Sequence, residues 1–186
     1  GAKGDKVMQQ RKQNIRWNTM RILVFGFLGV IFIGAVLLWL PISNRQPIAF
    51  MDSLFTATSA VCVTGLVTVP TATTWSTFGK IVILGLIQFG GLGIMACLTM
   101  VFLILRRKIS LQSRKLIQDT YNLPVLKGSV GIVRKLLIGT AAVELAGAFF
   151  YSFWFVPEYG FWKEIGYSLF HSVSAFCNAG IDLVGE

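Results

Sequence analysis

The residues best suited to chemistry in this chain lie in two short runs, where the main chain matters more than the side chains. SLFTATSAVCVTG at residues 53–65 recurs without a gap as SLFHSVSAFCNAG at residues 168–180, 115 positions later. Seven of the 13 paired positions are identical, Ser53/Ser168, Leu54/Leu169, Phe55/Phe170, Ser59/Ser174, Ala60/Ala175, Cys62/Cys177 and Gly65/Gly180, which marks an internal repeat. Each run closes on small or apolar residues ending in glycine: Val61, Cys62, Val63, Thr64 and Gly65 in the first copy, Phe176, Cys177, Asn178, Ala179 and Gly180 in the second. A dehydrated monovalent cation needs oxygen ligands to replace its hydration shell. Carbonyls of an extended turn supply them without burying a charge, and glycine permits the backbone angles required. A short helix ahead of the turn would point its partly negative C-terminus at the ion. These ten residues are the candidate cation ligands, through their main-chain oxygens. The bland alternative is a pair of packed helix–loop connections that hold no ion.

Elements that position such runs must be sought in an unusually apolar chain. Of its 186 residues 54% are hydrophobic and 13% charged, against roughly 25% charged in ordinary globular proteins. Residues 22–44, between Arg21 and Arg45, and residues 81–105, between Lys80 and Arg106, carry no charge. Both exceed the roughly 20 residues a spanning helix requires. A third stretch, 136–157, is interrupted only by Glu144. The expected class is an all-α integral membrane protein, with short polar-and-glycine runs at membrane depth that are tolerated where protein or a water-filled path surrounds them.

Charge reports topology. Lys3, Lys6, Arg11, Lys12, Arg16 and Arg21 precede the first span, and Arg106, Arg107, Lys108, Arg114, Lys115, Lys127, Arg134 and Lys135 separate the second from the third. Only Arg45, Lys80 and Lys163 remain of 17 basic residues. The positive-inside rule then places the N-terminus and the linker in the cytoplasm of a multi-pass cell-membrane protein. The net charge of +9 therefore implies no nucleic-acid partner. Trp39, Trp75, Trp154 and Trp162 fall where an outer aromatic belt would. Cys62, Cys97 and Cys177 lack metal or disulfide spacing and read as free thiols.

The chain divides into a cytoplasmic arm (1–20), a first unit (21–108), a cytoplasmic linker (109–127) and a second unit (128–186). A helix over 22–40 is stopped by Pro41. Asp52 stands as N-cap of a short helix over about 53–60, and residues 61–65 leave it as a non-helical turn. A second span follows over about 78–105. The linker's Ile109, Leu116 and Leu123 share one helical stripe along the membrane surface. A third span over about 131–156 ends at Pro157, then a short helix over about 167–175 and a turn over 176–180. The second unit lacks a closing helix, so the 186 residues are expected to be part of a longer protein.

The paired loops, the helix–pore helix–helix plan and the run Gln88-Phe-Gly-Gly-Leu-Gly93 resemble the Trk/Ktr/HKT superfamily of cation transporters, most nearly the KtrB-type membrane subunits of bacterial potassium uptake systems. The likeness covers nearly the whole chain beyond about residue 20. It implies four such units around one pore, of which this chain holds the first and most of the second, with selectivity-filter glycines at Gly65 and Gly180. In plant members a glycine at the first-loop position accompanies potassium selectivity and a serine sodium, so Gly65 implies potassium. Neither loop carries the Thr-Val-Gly-Tyr-Gly of potassium channels, which implies looser coordination. The resemblance also implies a homodimer with one pore per protomer, and a cytosolic nucleotide-binding regulatory subunit of the RCK type docked on the cytoplasmic loops.

Other residues admit two readings each. Gly90, Gly91 and Gly93 serve either close helix packing or a hinge; no strand precedes them, so they are no dinucleotide fingerprint. Glu144 within a span either braces a pore loop or lies on the ion path. His171 reads as a hydrogen-bonded core residue. Asp182 either draws cations to the mouth or is a solvated loop acid, and Asn178 is a weak candidate for a side-chain ligand. Arg106, Arg107 and Lys108 anchor the membrane surface or dock the regulatory subunit. No nucleotide-binding Gly-Lys-Ser/Thr and no nucleophile–base pair is present, so the chain is not read as an enzyme. The expected function is potassium translocation through a channel-like path. The rivals are a sodium-coupled secondary transporter with a midplane cation site and a membrane scaffold that transports nothing.

Overall fold

In the computed structural model, residues 21, 23–93, 96, 129–159 and 161–183 are described. They form helices α1 (Leu23–Trp39), α2 (Phe50–Cys62), α3 (Thr71–Thr74), α4 (Thr77–Leu92), α5 (Ser129–Tyr159) and α6 (Phe161–Phe176). Among the described residues the only strand-like pairing is an isolated bridge between Asn44 and Trp75. The surface linker stripe, Cys97 and the second half of the expected 78–105 span lie outside these residues, Ala96 excepted.

One apolar core joins both copies of the repeat. Ala35 and Leu38 of α1, Ala57, Ala60 and Val61 of α2, Ile83, Leu86 and Ile87 of α4, and Phe170 and Val173 of α6 meet in it, with Trp75. The outside is equally apolar. Phe25, Phe32 and Ile33 on α1, and Leu145, Phe149, Phe150 and Phe153 on α5, stand more than half exposed, Phe150 at 72%. In water such bands would be a severe liability; against lipid they are the expected surface. Among the described residues one helix, Val133–Phe153 within α5, is long and apolar enough to cross a membrane, while α1 and α4 are shorter apolar helices.

Glycine sets how closely the helices approach. A side chain at Gly34 would run into Leu86 across the α1–α4 contact, and one at Gly147 would meet the Ser172 hydroxyl across the α5–α6 contact. α4 also rests against α6, where Lys80 is nearly buried (8% exposed) and its ammonium lies 5.1 Å from the centre of the Tyr167 ring, a cation–π placement.

Several helix ends differ from the sequence-based expectation, each for a local reason. α1 stops near Pro41 as expected, and its last carbonyls are also capped: Ser43 Oγ donates to the Leu37 carbonyl at 2.5 Å, and the Asn44 side chain donates to those of Trp39 and Leu40. At the repeat spacing these capping positions hold Glu158 and Tyr159. α5 does not end at Pro157 but runs on to Tyr159. Proline within a helix forfeits its own N–H bond and crowds the carbonyl four residues earlier, yet the backbone stays helical to Tyr159. α2 starts three residues ahead of the expected position. Its N-cap is Ala49 without a side-chain cap, and Asp52 is not the cap but sits inside the first turn, where a carboxylate favours the positive helix end. α6 starts at Phe161 rather than near 167. Pro47, which biases the residue before it away from helix, has Trp162 as its counterpart.

The loop between α1 and α2 is clamped to the start of α4. Arg45 N–H donates to the Thr74 carbonyl and Ser76 N–H to that of Ser43, both at 2.9 Å. Ser76 Oγ donates to the Ile42 carbonyl at 2.6 Å and accepts from Gly79 N–H at 3.2 Å as N-cap of α4. Replacing Ser76 with alanine removes both bonds, and a cost of about 1 kcal/mol is expected. A thermal melt of the purified full-length protein checks it; an unshifted midpoint would contradict the capping role.

Candidate functional site

The two repeated runs end in one and the same main-chain geometry. In the first copy Val63 N–H donates to the Ala60 carbonyl and Thr64 N–H to that of Ser59, at 3.3 and 3.0 Å. In the second, Asn178 N–H donates to Ala175 and Ala179 N–H to Ser174, at 3.0 and 2.7 Å. This is the Schellman closure, which requires a left-handed residue just past the helix. Val63 (φ 56°) and Asn178 (φ 59°) fill it. Asparagine takes that conformation readily, whereas β-branched valine does so rarely. Two residues on, Gly65 (φ 74°) and Gly180 (φ 66°) again have positive φ.

The closure also corrects where the turns begin. Val61 and Cys62 remain in α2 and Phe176 in α6, because α-helical bonding persists until the left-handed residue intervenes. The non-helical parts of the candidate segments are residues 63–65 and 177–180. Past α6, Asn178, Gly180 and Asp182 are exposed while Ala179, Ile181 and Leu183 are buried. The buried three enter the common core.

The fold brings the two loops together. A Cβ on Gly65 would run into the backbone carbonyl oxygen of Ala179, whereas one on Gly180 would meet nothing within 4 Å. The Gly90–Gly91 pair of α4 backs both loops at once: a Cβ on Gly90 would strike the Val61 carbonyl, and one on Gly91 the Cys177 sulfur. These two glycines therefore serve close approach. Gly93 differs, with open surroundings and φ 82° at the end of α4.

Side chains brace this arrangement. Thr64 Oγ1 donates to Ser59 Oγ at 3.0 Å, and Ser174 Oγ donates to the Ile181 carbonyl at 2.7 Å, binding α6 to the segment that follows it. His171 Nδ1 lies 2.8 Å from the Tyr167 carbonyl, and Leu183 N–H donates to Nε2 at 3.3 Å. That pairing places the proton on Nδ1; His171 is hydrogen-bonded as expected, but half-buried rather than in the core. Cys62 is exposed and Cys177 half-buried, both as free thiols.

Glu144, only 6% exposed, faces α4. Gln88 Nε2 donates to both of its carboxylate oxygens, at 2.9 and 3.0 Å. The Cys177 thiol donates to Gln88 Oε1 at 3.7 Å, and Ser172 Oγ donates to the Glu144 main-chain carbonyl at 2.6 Å. In the sequence Gln88 stands out only as a member of its glycine run. The available signal was its polarity inside a charge-free span.

Comparison with known proteins then places the chain. Residues 4–186 match the TrkH family model, described as a cation transport protein. The chain is 45% identical over 169 residues to the Ktr system potassium uptake protein B of Bacillus subtilis (strain 168), covering 91% of this chain and 38% of that protein. It is 40% identical over 182 residues to the potassium/sodium uptake protein NtpJ of Enterococcus hirae, covering 97% and 40%. To the Ktr system potassium uptake protein B of Vibrio alginolyticus it is 37% identical over 166 residues, covering 89% and 36%. The chain thus spans about two fifths of the length of these relatives.

Proposed function

The chain belongs to the TrkH family of cation transport proteins, and from that membership we propose that it supplies two of the loops lining a potassium path through the cell membrane. The observation that carries the reading is the meeting of the two repeated loops, main chain against main chain, at Gly65 and Ala179. Two helix C-termini with identical caps thereby converge, and their partial negative charge favours a cation between them. Carbonyls of residues 61–65 and 176–180 are the ligands in this reading, and the ion moves down its electrochemical gradient. The exposed residues of the two loops, Thr64 in one and Asn178 and Gly180 in the other, are the sides offered to the path.

The units at 21–108 and 128–186 are re-entrant repeats in this proposal, with both loops entering from outside and the N-terminal arm in the cytoplasm. Similarity to a protein named for potassium and sodium uptake keeps sodium as a second cation, carried or coupled. A homodimer and a cytosolic RCK-type subunit complete the proposal; the linker at 109–127 that would receive that subunit lies outside the described residues.

The test is cation uptake into liposomes holding the full-length protein, with and without its cytosolic subunit. Potassium uptake exceeding sodium uptake is expected. A correctly folded protein that moves neither cation under both conditions would overturn the reading in favour of a scaffold.

A further inference from the structure

The second loop has a brace for which the first copy offers no matching carboxylate. Three side chains from three elements form a chain of donors and acceptors: the Cys177 thiol donates to Gln88 Oε1, and the Gln88 amide donates to both oxygens of Glu144. The amide is oriented by chemistry, since a carboxylate only accepts while a thiol can donate. Glu144 is fixed in turn through its main chain, whose carbonyl accepts from Ser172 one turn before the loop. Gly91 closes the other side of Cys177 so tightly that a Cβ there would overlap the sulfur. At the repeat spacing of 115 the counterpart of Glu144 is Gly29, where a Cβ would meet nothing within 4 Å.

We propose that Gln88 and Glu144 are positioning residues that set the second loop at Cys177, and through it the discrimination between potassium and sodium. The inference rests on the cation-path reading and adds a determinant to it. Cys177 directly precedes the left-handed Asn178 and the buried Ala179, whose carbonyl abuts Gly65. A shift at the sulfur therefore reaches the point where the loops meet. Glu144 does not touch the ion in this arrangement. It holds the glutamine that holds the thiol, and a carboxylate so far from water is retained only with such partners.

The experiment measures potassium and sodium uptake by the full-length protein in liposomes, for wild type, Gln88→Leu, Gln88→Glu and the exchange Gln88→Glu/Glu144→Gln. Gln88→Leu breaks the chain and should lower the potassium-to-sodium ratio about tenfold. Gln88→Glu sets two carboxylates together and should lower it at least as far. In the exchange, the carboxylate at 88 accepts from both the thiol and the new amide, so the ratio should return to within about threefold of wild type. Conducting variants with an unchanged ratio, or an exchange no better than Gln88→Glu alone, would overturn the inference and leave the cation path standing. A wild type that moves neither cation would remove both. For a variant that does not conduct, the melting temperature of the purified protein is compared in potassium and in sodium. A smaller difference between the salts than in wild type supports positioning, whereas an equal loss in both, with the difference intact, overturns it.

Discussion

Gly65→Ser is expected to cut the potassium-to-sodium uptake ratio of the full-length protein by at least about tenfold, equivalent to about 1.4 kcal/mol. Two costs act together. An L-residue held at the left-handed φ of 74° pays about 1–2 kcal/mol, and its Cβ runs into the Ala179 carbonyl oxygen. The obstacle is main chain on both sides, so no rotamer change relieves it and the loops must move apart. Gly180 provides the contrast. Its φ of 66° imposes the strain, but a Cβ there meets nothing, so Gly180→Ala should be milder than Gly65→Ala. Parallel uptake assays in potassium and sodium decide the matter. A folded Gly65→Ser protein with the wild-type ratio would remove Gly65 from the filter.

The second large effect is expected at Gly90. A methyl group there meets the Val61 carbonyl and also lies 3.0 Å from Val63 Cγ2. Val61 lies in the last turn of the helix that presents the first loop, so overpacking costs about 1–3 kcal/mol and pushes that loop off α4. Gly90→Ala should therefore lower both the melting temperature and the rate of uptake. Gly85→Ala, on the same helix with open surroundings, should be neutral or stabilise by roughly 0.5–1 kcal/mol, since alanine favours helix over glycine. Thermal melting of the two variants side by side is the measurement. Equal midpoints would show that α4 does not back the loop as closely as the geometry requires.

The contrast between Gly85 and Gly90 also shows where sequence reasoning reaches. The repeat, the apolar helices, the glycine run and the need for glycine at positions 65 and 180 were legible, because composition and spacing express them directly. Helix ends were less so. Pro41 and Pro157 look alike in sequence, yet only the first is followed by Ser43 and Asn44, whose side chains close the helix behind it. Asp52 has the composition of an N-cap and sits three residues too late, because the chain enters α2 at Ala49. The brace was beyond reach for a different reason. Gln88 and Glu144 are 56 positions apart and Gln88 and Cys177 are 89, and no local pattern reports which polar side chains on separate helices will face each other.

The cap shared by the two loops bears on how such a protein can change over generations. Every bond that closes it joins one peptide group to another, so selection for its shape leaves most side chains unconstrained. Valine in one copy and asparagine in the other already occupy the same left-handed position. A duplicated segment can thus lose its kinship in letters while keeping it in form, provided a glycine remains two residues beyond the bend. Ancestry among such loops would be traced more faithfully by backbone angles than by alignment.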